Sequence, residues 1–89
     1  MAYRVTTIRT NGEIDTETME DKPSLEDLQA RVGGFIERVP RQPHDVWCCE
    51  DSRMRGDPIN VAACERLGDV VGTVDGRLRG DIVIVEPLQ

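Results

Sequence analysis

The dipeptide Asn11-Gly12, set between two segments rich in β-branched residues, constrains this chain more than any other feature. Asn and Gly both tolerate positive φ, which a tight antiparallel hairpin demands. Ala2 to Ile8 reads as the first strand. A two-residue loop would set Ile8 against Asp15 and Arg9 against Ile14, mixing apolar and charged partners on both faces. A three-residue loop, Thr10-Asn11-Gly12 with Gly12 left-handed, pairs Arg9 with Glu13 and Ile8 with Ile14 instead, and is preferred. It makes Glu13 to Thr18 the second strand and turns Glu13, Asp15 and Glu17 to one side.

A helix follows. Ser24 fits an N-cap, and Asp27 three residues on nearly completes a capping box. Leu25, Leu28 and Val32 form one apolar stripe, with Asp27 and Arg31 spaced as an exposed i,i+4 pair. Gly33-Gly34 supplies a left-handed exit. Phe35 to Val39 reads as a strand ended by Pro40 and Pro43, and Arg41 to Asp45 as a turn. Val46 to Glu50 reads as a central strand that buries Trp47. A second short helix begins with either Asp57 or Asn60 as its cap and ends near Leu67, before Gly68. Asp69 to Val74, a turn at Asp75-Gly76, and Asp81 to Val85 read as a closing strand pair.

Eighty-nine residues fit a single domain over positions 1–89, one that buries about 60–65% of its unfolded surface. Tyr3, Phe35 and Trp47 are the only large rings, so the core has to be aliphatic. The expected fold is α+β: a four- to five-stranded, mainly antiparallel sheet with two short helices on one face. The N-terminal hairpin and the C-terminal pair are its candidate edges, which offers edge pairing as a route to a homodimer.

Charge is unevenly placed. Residues 11–30 hold seven acids (Glu13, Asp15, Glu17, Glu20, Asp21, Glu26 and Asp27) against Lys22 alone, so this window carries −6, equal to the net charge of the chain. Nucleic-acid binding relies on clustered Lys and Arg, and no such cluster exists. The first thirty residues contain no apolar run of seven, and no stretch approaches the roughly 18–20 apolar residues of a membrane span. Three cysteines without an export signal point to reduced thiols and a cytoplasmic protein.

Three groups of residues carry a family resemblance. Leu25 to Gln29 runs into Val32-Gly33-Gly34-Phe35-Ile36-Glu37; Val46 to Asp51 precedes Gly56-Asp57-Pro58-Ile59-Asn60 with Ala62-Ala63; Val70-Val71-Gly72 precedes Gly80 to Val85. This order resembles the Domain of Unknown Function 3846 family over roughly residues 13–86. Cys49, where the family usually has asparagine, and the segment Asp75 to Gly80 depart from the pattern. The resemblance implies an α+β fold and an origin in phages, plasmids or their bacterial hosts. It carries no catalytic residue across.

The chemistry-bearing residues have ordinary readings. His44, Cys48, Cys49 and Cys64 number four zinc-ligand types, yet zinc hooks space their cysteines by two to four residues. Adjacent Cys48 and Cys49 would face opposite sides of a strand. His44 with Cys48 is a nucleophile–base pairing without an orienting carboxylate, Asp45 excepted. Glu13 to Asp27 lacks the spacing and internal glycine of a calcium loop. Arg55-Gly56-Asp57 and Arg79-Gly80-Asp81 spell an adhesion tripeptide, but turns favour Gly and Asp for backbone reasons. No cofactor and no catalytic constellation are expected.

Two functions remain as expectations. The first is a non-catalytic interaction module, a mobile-element accessory or inhibitor, that presents the seven window acids to a basic surface of a host protein. The second is a small-molecule sensor or enzyme subunit, nucleotide-like in its ligand, with its site at Asp57 and Asn60 where a helix start exposes N–H groups.

Overall fold

A computed structural model describes residues 2–68 and 77–88. The elements run β1 (Ala2–Ile8), β2 (Ile14–Met19), α1 (Leu25–Val32), β3 (Ile36–Arg38), β4 (Asp45–Cys49), α2 (Val61–Leu67) and β5 (Ile82–Leu88). The described strands form one sheet in the order β2-β1-β5-β4-β3, with every neighbouring pair antiparallel. The fold is α+β.

The first hairpin takes the three-residue loop. Ile8 pairs with Ile14, the Arg9 amide donates to the Glu13 carbonyl at 2.9 Å, and Gly12 sits at φ 91°. Both helices start and stop on the residues that sequence marks. The Ser24 hydroxyl accepts from the Asp27 amide at 3.1 Å, and Gly33 ends α1 in the left-handed region. Asn60, rather than Asp57, caps α2, and Gly68 ends it.

Strand order departs from expectation. β5 is the central strand and no edge at all; the edges are β2 and β3. The expected partner strand at Asp69 to Val74 and the turn at Asp75-Gly76 lie outside the described residues. β4, expected at the centre, is second from the edge, and its Trp47 is half-buried.

The helices also lie on opposite faces of the sheet, not on one. Leu28 and Val32 of α1 pack with Val5, Val83, Val85 and Cys49. Ala63 of α2 packs with Ile8, Val46, Leu78, Ile82 and Ile84. The cause is β5 itself. Its run Ile82-Val83-Ile84-Val85 is apolar at both parities, so each side of the strand needs cover. Each such side chain gains about 1.5–3 kcal/mol on full burial, which one uncovered face would forfeit. The stripe on α1 is shorter than expected: Leu25, at the first helical position, remains 59% exposed.

Cys48 and Cys49 do point to opposite faces, one in each core. Gly33 and Gly34 are glycine for different reasons. Gly33 needs its positive φ, whereas a Cβ on Gly34 would lie 3.0 Å from the Cys49 sulfur.

Candidate functional site

β2 is the most exposed strand of the sheet. Its residues Ile14 to Thr18 are exposed and only Met19 is half-buried. Because side chains alternate, Asp15 and Glu17 share the face of Val5 and Thr7, their cross-strand partners, which is the face covered by α1. Glu13, opposite Arg9, continues this parity. Ile14, Thr16 and Thr18 lie on the other face.

Arg31 of α1 joins the strand to the helix. Its Nε donates to Asp27 at 3.1 Å, one Nη donates to the Thr7 hydroxyl at 3.3 Å, and the other donates to Glu17. Burial opposes the charge on Arg31. Hydrogen bonds and attraction from Glu17 and Asp27 outweigh it and hold the pKa above the ordinary arginine value. At the hairpin tip Arg9 reaches Asp15 at 3.3 Å and Asp81 at 3.6 Å. Lys22 is drawn elsewhere, to Asp45 at 3.3 Å.

The structure therefore brings five of the seven window acids to one side. Glu13, Asp15 and Glu17 run along the hairpin, and Glu26 and Asp27 stand in the first turn of α1. Glu20 and Asp21 sit in the connection between the two elements. Among the described residues, Glu13, Glu20, Asp21 and Glu26 are exposed and form no ion pair. The five carboxylates on this side meet Arg9 and Arg31, leaving a net of three negative charges on it.

The second predicted site is built differently. Asn60 is fully buried. Its Oδ1 accepts from the Ala63 amide at 3.0 Å, and its Nδ2 donates to the carbonyls of Ile8 at 2.8 Å and Gly80 at 2.9 Å. Both amide hydrogens and one lone pair of the oxygen are thereby engaged within the fold. Asp57 pairs with Arg55, which also donates to the Gly33 carbonyl at 2.9 Å. Asp57 and Asn60 thus both take part in fastening the fold.

Sequence reasoning missed a shallow cleft of about 140 Å³ on the α2 side of the sheet. Val46, Ile84 and Leu67 supply its apolar lining; Arg66 and Glu86 supply charge, and His44 an imidazole. His44 Nε2 lies 3.5 Å from Glu86. Only a topology that sets β4 beside β5 brings these two residues together, and no local motif records it.

The cysteines are free thiols. Burial first, then the charge of Glu37 and the neighbouring Cys49, pushes the Cys48 pKa up from 9.0 to about 11. Its sulfur donates weakly to the Glu37 carbonyl at 3.5 Å. His44 Nε2 is engaged with Glu86. Among the described residues, no three His, Cys, Asp or Glu side chains gather as a metal-binding group. No helix among them is long and apolar enough to cross a membrane.

No curated protein and no solved structure matches the chain. The family model described as "Domain of unknown function (DUF3846)" matches residues 3–88 of the 89. That span runs from the first strand to the end of β5 and takes in the acidic strand, both helices and the Asn60 junction; the chain belongs to the DUF3846 family.

Proposed function

We propose that this protein is a non-catalytic interaction module that docks a basic surface of another protein through its acidic side. One observation carries the reading. The strand most exposed to solvent bears a line of carboxylates, Arg31 locks that line to the first turn of α1, and four further or adjoining acids remain free of any ion pair among the described residues. Such a surface steers a positively charged partner and selects against acidic ones. It holds negative charge away from the two cores, so the partner can be met without disturbing them. The reading extends to a mobile-element accessory, an inhibitor of a host protein, working in the cytoplasm.

The test is a pull-down from bacterial lysate. Glu13, Glu20, Asp21 and Glu26 are changed together to Lys, because none of them holds the fold through an ion pair. The expected result is loss of the captured basic partner with unchanged circular dichroism. Undiminished recovery removes the reading. Reversing even two of the four should move elution of the complex to markedly lower salt than that of the wild type.

The cleft favours a second reading, a small-molecule sensor. An apolar lining with one guanidinium and a His–Glu pair suits a small ligand with an anionic group. A thermal-shift panel of nucleotides and small carboxylates tests it. A ligand present at 100 times its Kd should add about 2.7 kcal/mol of stability.

A further inference from the structure

The backbone of β2 goes beyond charge, and with the acidic-side reading as its premise we propose that the partner docks as an added antiparallel strand whose basic residues alternate with apolar ones. The bond from the Arg9 amide to the Glu13 carbonyl fixes the phase of the ladder. In an antiparallel pair, inward-bonding and outward-facing residues alternate. Glu13, Asp15, Glu17 and Met19 therefore bond toward β1, and Ile14, Thr16 and Thr18 turn their N–H and C=O groups outward. No described strand lies on that side of β2.

Six residues of strand span about 20 Å, enough to template a short segment. The opposite edge, β3, has only three residues and ends before Pro40, so β2 is the edge suited to addition. Side chains directly across a ladder share a face. An incoming strand would thus place every second side chain beside Asp15 and Glu17, and the intervening ones beside Ile14, Thr16 and Thr18. Ile14 is half exposed and gains cover from an apolar neighbour. The complementary segment alternates Arg or Lys with β-branched residues. A second copy of this chain is the wrong occupant, because β2 against β2 brings acidic side chains opposite acidic ones.

The experiment uses the intact protein and labelled hexapeptides in fluorescence anisotropy. One peptide alternates arginine with valine, and a second has the same composition with its arginines contiguous. Two more carry N-methyl groups on the alternating peptide, either at the valines, whose amides face β2, or at the arginines, whose amides face away. The alternating peptide should bind about tenfold more tightly than its block isomer, and methylation at valine should cost about tenfold while methylation at arginine should not. On the protein, Thr16→Pro removes an outward N–H without touching the ladder to β1, and should weaken binding of the alternating peptide by a similar factor. Equal binding of alternating and block peptides, or indifference to valine methylation, overturns strand addition and leaves the acidic-side reading in place. Failure of every basic peptide to bind at low salt overturns both.

Discussion

The side-chain amide of Asn60 donates to the carbonyl of Ile8, 52 positions away in the chain, at 2.8 Å. The same amide holds the Gly80 carbonyl, and its oxygen caps α2. One buried residue therefore ties the end of β1, the approach to β5 and the start of a helix into a single junction.

Asn60→Ala should be severely destabilising. It deprives two buried carbonyls of their donor, at about 1–3 kcal/mol each, and removes a helix cap at about 1 kcal/mol. Urea denaturation should show a loss of about 3–5 kcal/mol, a large part of the total stability of so small a domain. Asn60→Asp should rescue the cap alone and remain well below wild type.

Gly80 stands beside this junction at φ 74°, and a Cβ there would meet the Asp57 carboxylate at 3.0 Å. Gly80→Ala combines a disfavoured backbone with crowding. A loss of about 1–3 kcal/mol is expected in the same assay. Gly12→Ala, which meets no neighbour within 4 Å, should lose only the backbone component.

How much of this was legible in the sequence differs by element. The first hairpin was readable because charge pairing and apolar pairing agreed on one register, and helix ends were readable because Ser24, Gly33, Asn60 and Gly68 are local signals. Strand order was not, since it depends on pairings between residues as distant as Ala2 and Leu88. The clue to helices on both faces lies in the unbroken apolar run of β5, whose two parities both need cover. Asn60 was recognised as a cap candidate, yet nothing near it in sequence announces that its amino group reaches Ile8. The acidic side was legible as charge; Arg31 as its clasp to the strand was not, because only its helical neighbour Asp27 is close in the chain.

Thr6 is almost wholly buried, and its hydroxyl has no hydrogen-bond partner among the described residues. Thr6→Val replaces an unsatisfied hydroxyl by a methyl group between β-branched neighbours. Thermal unfolding should show a gain of about 1 kcal/mol. A loss would mean that the hydroxyl is satisfied in solution.

Cys48 should alkylate slowly. With its pKa raised to about 11 by burial, then by Glu37 and Cys49, its thiolate fraction at neutral pH is on the order of a hundredfold below that of a free thiol. Peptide mapping after iodoacetamide treatment should find Cys48 unmodified in the native protein and modified in urea. The folded state holds this proton more tightly than the unfolded state does. Its contribution to stability is therefore complete below pH 9 and is lost as the pH rises from there through about 11. Cys48→Ala should flatten that part of the stability profile.

Arg31→Met should loosen the acidic side. It leaves Glu17 and Asp27 without their shared cation, and a loss of about 1–2 kcal/mol is expected. Combined with Glu17→Gln, the double variant should lose less than the sum of the single losses, which a double-mutant cycle would measure.

The placement of β5 has a consequence for how the protein is made. Both hairpins are complete in sequence before residue 82, yet each waits for Ile82–Leu88 to join it to the other. A ribosome that stalls short of that segment holds two half-sheets with their inner margins bare and two helices that lack the β5 part of their packing. Such a nascent chain presents sticky surfaces to chaperones until β5 slides between the halves, so the two halves should fold together in one step.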